Sequence, residues 1–264
     1  MSVFVVQRNG RPATVEDLAP LAFAGYAHFT AMQVRDRRIR GLDLHLARLR
    51  TASAGMFGRT LPDETVLAYL RAALADGPAD VSLTATVYSP AEFSTADLPP
   101  EVLVRTGPPA SPPTGPLSLA TVEYERVLPE FKHVGEVAKT YYPRQAATKG
   151  FDDAAFVDRH GRLGEASIWN LAFWDGSAVV WPEAPMLGGV TMAVVRRRLD
   201  RLGVAQRSRV ITAADLPSLT GAVVMNSWTP GVPVDRIDDV EFATPWSFVE
   251  ILHRAHESEP LVAP

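Results

Sequence analysis

The 264-residue chain is 47% hydrophobic and 21% charged, enough apolar content to bury a sizeable core as one large domain or two modest ones. A net charge of −4 and a pI near 5.9 supply no concentrated basic surface, so no nucleic-acid partner is expected. The absence of cysteine removes disulfides, thiol nucleophiles and thiolate metal sites together, and no metal site is expected. No apolar run is long enough to span a bilayer, and the opening MSVFVVQRNG lacks the regions of a secretory signal, so cytoplasmic residence without a membrane partner is the expectation.

Read in order, Val3 to Gln7 and Phe29 to Val34 predict short strands, and Asp43 to Met56 carries Leu46, Leu49 and Ala52 or Ser53 at helical spacing. A second helix is predicted from Pro62, with Leu67, Leu70 and Ala73 at three-residue steps until Asp76-Gly77-Pro78 ends it. Val81 to Tyr88 reads as a strand. Thr106 to Pro116 holds five prolines and two glycines, which suit neither helix nor sheet and mark a domain boundary. Beyond it, strand-like runs at Leu117 to Val122, Ala154 to Asp158 and Ile168 to Trp174 alternate with helical patterns at Glu136 to Thr148 and Val190 to Leu202. Arg159 to Arg162 is a turn. The predicted organisation is a small α+β domain over 1–106, a linker over 107–116 and a larger domain over 117–264, with a ligand crevice between the domains.

Lysine occurs only at positions 132, 139 and 149, so chemistry that needs a deprotonatable amine must draw on one short segment. Lys132 follows the connection Leu128-Pro129-Glu130 and precedes a helical pattern. Glu165 stands before the apolar run that includes Asn170, and Leu187-Gly188-Gly189-Val190-Thr191 leads a glycine pair into a helix. Such a helix start offers unpaired N–H groups and a positive dipole end, which suit a phosphate, and Thr191 adds a hydroxyl. Arg48 lies on the polar side of an amphipathic helix.

From about Ala22 to Val234 the sequence resembles the class IV pyridoxal-phosphate enzymes, the branched-chain and D-amino-acid aminotransferases and aminodeoxychorismate lyase. His28-Phe29-Thr30-Ala31-Met32-Gln33-Val34, Arg38-Ile39 and His45-Leu46-Ala47-Arg48-Leu49 are similar to that family's first block, and Lys132 falls at its Schiff-base lysine. Gly150 to Ala154, Gly161, Glu165 and Asn170 resemble the block whose glutamate meets the pyridine nitrogen. Gly189-Val190-Thr191 is similar to the phosphate cup, and Asn226-Ser227 before Pro233-Val234 to a second phosphate turn.

The resemblance implies the two-domain α+β class IV fold, a homodimer and pyridoxal 5'-phosphate as cofactor. It makes Lys132 the cofactor anchor and proton carrier, and Glu165 the ring-nitrogen partner, with Arg48, Gly189, Val190, Thr191 and Ser227 around the phosphate. Phe29, Thr30 and Asn170 become substrate-side candidates. Two departures stand out: Thr30 replaces the glutamate usual in transaminases, as in the lyase, and Val87-Tyr88-Ser89 replaces an Arg-Gly element that often receives the substrate carboxylate. Arg105 and Arg144 are candidate substitutes. Transamination between a small amino donor and a keto acid is the leading expectation. The alternatives are a lyase releasing pyruvate and a degenerate cofactor-binding protein; a hydrolase lacks any Gly-x-Ser-x-Gly elbow.

Overall fold

The computed structural model describes residues 5–90 and 98–264. Val3 and Phe4 of the first expected strand lie outside them. The chain divides into two compact units, one made of Met1–Ser111, Phe131–Gly135 and Pro260–Pro264, the other of Pro112–Glu130 and Glu136–Glu259.

In the first unit, β1 (Val6–Arg8), β2 (Arg11–Pro12), α1 (Val15–Phe23), β3 (Ala27–Arg35) and β4 (Arg38–Arg40) precede α2 (Leu42–Phe57), α3 (Asp63–Ala75), β5 (Val81–Tyr88) and β6 (Glu101–Gly107). The sheet order is the C-terminal strand Leu261–Val262, then β4, β3, β5, β6, β1, β2. Strict alternation along β3 sends Thr30, Met32 and Val34 to one face and Phe29, Ala31 and Gln33 to the other. The first face packs with Leu83, Ala85, Val102 and Val104 against Leu46, Leu49, Val66 and Leu70 of the two helices. Their 3–4 residue spacing makes α2 and α3 a lid on that face alone. Asp63 and Glu64 in the first turn of α3 oppose its positive dipole end.

The second unit contains β7 (Leu117–Glu123), α4 (Ala138–Thr148), β8 (Asp153–Val157), β9 (Leu163–Ala166), β10 (Asn170–Trp174), β11 (Val179–Pro182) and α5 (Val190–Arg201). It continues with β12 (Gln206–Arg209), a 3-10 turn, β13 (Gly221–Asn226), β14 (Thr229–Ile237), β15 (Val240–Glu241) and α6 (Trp246–Glu257). The path β10-β13-β14-β7-β8-β9 returns on itself, because β9 pairs with β8 and also with β10 through the rung Glu165–Asn170. Leu119, Leu171, Phe173, Val224, Val232 and Val234 fill one core of this sheet. The opposite side chains Ala172, Val223 and Met225 pack under Val195, Leu199, Phe248 and Leu252 of α5 and α6.

The expected helices and the strand at Val81 to Tyr88 lie within two residues of their observed bounds. The expected strand at Ile168 begins only at Asn170, because Ser167 and Ile168 form a turn in which Ala166 N–H donates to Trp169 O at 2.8 Å. Strands β6, β9, β11, β13 and β14 and helices α1 and α6 are additions to the sequence reading. The segment Phe131–Gly135 also departs from the expected continuous stretch beyond residue 117, since main-chain hydrogen bonds tie it to β3.

Two histidines are enclosed in the first unit. His28 Nε2 lies 2.9 Å from Ser53 Oγ, and His45 Nδ1 lies 2.6 Å from Thr30 Oγ1. Burial pushes His28 down to about 4. Burial, then the positive charge of Arg48, pushes His45 down to about 3. The unfolded chain binds these protons near the ordinary value of about 6.5. Both therefore contribute stability that is present above about pH 6.5 and lost as pH falls toward 4. Thermal melts between pH 7 and pH 4 should show a falling midpoint, with a shallower slope in His45→Asn; an equal slope would mean that His45 does not carry the effect.

Candidate functional site

Lys132 is fastened from both sides by main chain. Phe29 N–H donates to Lys132 O at 2.8 Å and Val134 N–H donates to Ala27 O at 2.9 Å, an antiparallel bridge centred on His28 and His133. Its neighbours add two apolar anchors. Val134 packs with Ala27, Tyr88 and Leu103. The Phe131 ring lies against Gly55 of α2 so closely that a β-carbon there would stand 2.2 Å from Cζ. Lys132 Nζ sits 5.0 Å from the centre of the Phe29 ring, a cation–π distance.

Phe29 and Lys132 thus share one place, whereas Thr30 does not. Its fully buried hydroxyl faces the α2 side and meets His45. Arg48, half-buried on α2, is near enough to influence His45 electrostatically. Of the rival lysines, Lys149 is exposed, and burial followed by the charge of Arg126 pushes the Lys139 amine down.

In the second unit, Glu165 is buried on β9 directly opposite Asn170 on β10. The turn joining them is held by Asp153, which accepts from Trp169 Nε1 at 2.8 Å; burial pushes its carboxyl up. Asn170 Nδ2 donates to Leu187 O at 2.7 Å, and a β-carbon on Gly189 would fall 1.9 Å from Asn170 Oδ1. Asn170 therefore buttresses the glycine turn that starts α5. Gly189 is the N-cap of that helix, which has no side-chain cap and no acidic residue in its first turn. Its leading N–H groups and dipole suit an anion, and Thr191 is buried beside them. Ser227 is half-buried in the tight turn between β13 and β14, where Asn226 Oδ1 accepts from Trp228 N–H at 2.8 Å.

Sequence reasoning missed a cluster of buried charge. Arg126 Nε is 3.4 Å from Glu136 Oε2, and its Nη1 is 3.9 Å from Glu165 Oε1. Tyr124 donates to Glu136 Oε1 at 2.6 Å. An arginine inside a proline-containing connection carries no local pattern that marks it as buried. Among the described residues, no group of three or more His, Asp or Glu side chains could hold a metal ion, and no helix is long and apolar enough to cross a membrane.

Gly189→Ala should lower the melting temperature by about 2–12 °C, the shift expected in a chain of this size from overpacking of about 1–3 kcal/mol. Combining it with Asn170→Ala should recover part of that loss. Full tolerance of the single change would show that the Asn170–Gly189 contact is slack.

No curated protein matches the sequence. The model of the family described as Amino-transferase class IV matches residues 27–237. Among solved structures, a branched-chain aminotransferase from Thermoproteus uzoniensis with norvaline is 20% identical with a TM-score of 0.81, covering 97% of this chain and 94% of that one. A PLP-bound hypothetical aminotransferase from Mycobacterium tuberculosis is 20% identical with a TM-score of 0.78, covering 97% and 98%. A 4-amino-4-deoxychorismate lyase-like protein from Legionella pneumophila is 17% identical with a TM-score of 0.77, covering 88% and 90%. At these identities the likenesses establish the fold, and the family match over most of the sequence establishes the rest: the chain belongs to the class IV aminotransferases, a family of pyridoxal-phosphate enzymes.

Proposed function

We propose that this enzyme is a transaminase that moves an amino group from a small amino acid or amine to a keto acid, working as a cytoplasmic homodimer with Lys132 as its cofactor lysine. The observation that carries this reading is the clamped position of Lys132, whose amine is presented over Phe29 by two main-chain hydrogen bonds. The residues fit pyridoxal phosphate. An uncapped helix start at Gly189, with no room for a β-carbon beside Asn170, is a cradle for phosphate, and a buried carboxylate at Glu165 suits a protonated ring nitrogen.

When bound, the cofactor supplies an aldehyde that an amine can capture and a ring that accepts electron density from the substrate's Cα. Lys132 Nζ would hold the cofactor and, once the substrate's amine has displaced it, would be a free amine able to take and return the Cα proton. Glu165 keeps the proton on the ring nitrogen in place. Val190 and Thr191 N–H groups and the hydroxyls of Thr191 and Ser227, with the guanidinium of Arg48, bind the phosphate. Phe29 lends an apolar wall near the amine, which excludes water from the proton transfer. Asn170 acts through Gly189 by holding the phosphate turn.

The elimination reading drew its support from Thr30. That hydroxyl is enclosed with His45 on the face of β3 opposite Phe29, so its identity adjusts the core and gives the lyase no particular support.

Product analysis separates the reactions. With a panel of L- and D-amino acids and a keto-acid acceptor, one new amino acid should form for each keto acid released; release of pyruvate and aminobenzoate from aminodeoxychorismate, with no response to any amino acid, would replace transamination by elimination. Glu165→Ala should lower turnover by about tenfold or more while cofactor retention changes little, because the phosphate contacts hold the cofactor. Equal losses in both would make Glu165 a structural residue.

A further inference from the structure

The acid cluster behind Glu165 has a composition that packing alone does not require. Arg126 is 9% exposed at its side chain and lies between two buried carboxylates, Glu136 and Glu165. On the Glu136 side the arrangement is braced, because Tyr124 donates to Glu136 at 2.6 Å and burial pushes that phenol up, keeping it a donor. On the Glu165 side the 3.9 Å separation is ionic attraction rather than a hydrogen bond. A carboxylate buried beside a cation stays charged, whereas a buried carboxylate facing another carboxylate takes up a proton.

We propose that Arg126 is a positioning residue for Glu165: braced by Glu136 and Tyr124, it turns its Nη1 toward Glu165 and keeps that carboxylate ionised inside the second unit. This rests on the reading of Glu165 as the ring-nitrogen partner, and it names what makes Glu165 fit for that task. A neutral acid there could not hold a proton on the ring.

The neighbouring charges leave Arg126 in this role. Lys139 on α4 feels the positive charge of Arg126 and has its own amine pushed down by burial. A cavity of about 190 Å³ beside the cluster is bordered by Glu125, Asp158 and Arg162. Asp158 is paired to Arg162 at 2.6 Å, and Glu125 to Arg159 at 2.5 Å. Asp158 and Glu125 thus face arginines of their own, while Arg126 stands 3.9 Å from Glu165.

Infrared difference spectroscopy on the cofactor-free full chain tests the proposal. Subtracting the spectrum of Glu165→Gln isolates the Glu165 band at neutral pH. In the otherwise wild-type chain that band should be the ionised carboxylate stretch. Arg126→Gln alone leaves two buried acids face to face and can fail to fold, so the deciding background is Arg126→Gln with Glu136→Gln, which removes the pair together. There the carboxylate band should fall by about half or more, with a protonated-acid band in its place, while Arg126→Lys should retain it. In the loaded enzyme the double variant should lose about tenfold in kcat with little change in KM. An undiminished Glu165 carboxylate band in the double variant overturns the proposal. The reading of Glu165 itself is judged separately: if Glu165→Gln leaves the visible spectrum of the loaded enzyme unchanged while the infrared result holds, Arg126 controls Glu165 but Glu165 is not the ring contact.

Discussion

Everything proposed for this enzyme depends on five residues that leave one chain segment and pair with another. The peptide groups of Phe29 and Lys132, and of Ala27 and Val134, exchange hydrogen bonds of 2.8 and 2.9 Å. A lysine side chain has four rotatable bonds and a high entropic cost of ordering. Fixing its main chain to β3 orders the backbone at Lys132 before any ligand arrives, so that only the side-chain rotations are left to be ordered. Phe131 against Gly55 and Val134 against Ala27 and Leu103 prevent the segment from peeling away. Phe29 points to the face of the sheet that α2 and α3 do not cover, which is why the Lys132 amine can stand over its ring instead of being lost in the core.

The second unit solves a different problem, that of placing an acid inside protein without losing its charge. Closing the sheet through the Glu165–Asn170 rung puts the carboxylate and the amide on neighbouring strands. The amide then supports the Gly189 turn, and the acid meets Arg126. One rung of a β-ladder thus links the uncapped start of α5 to the buried charge cluster. Leaving either acid there without its cation would cost about 3–5 kcal/mol, so the cluster must be conserved or replaced as a set when variants are built.

Much of this was legible in the residues because the physics is local. Alternation from Val81 to Tyr88, the apolar spacing along α2 and the break at Asp76-Gly77 each declare their element without help from the rest of the chain. The order of Lys132, Glu165, the glycine pair and Ser227 carried the family resemblance. What was hidden is non-local. The bridge at His28 and His133 is made by peptide groups, which leave no side-chain signature. Strands β11 and β13 are buried on both faces and so show no alternation. Arg126 reads as a solvated charge until its two acids are seen. Adjacent residues of a strand face opposite ways, so Phe29 and Thr30 cannot both line one site.

The identity of the cofactor lysine is the claim on which the account turns, and Lys139, whose amine burial pushes down, is its physical competitor. Borohydride reduction of the cofactor-loaded enzyme, followed by proteolysis and mass spectrometry, reads the answer directly. The cofactor mass should appear on the peptide containing Lys132 and be absent from Lys132→Ala. Cofactor mass on Lys139 with Lys132 unmodified would contradict the account.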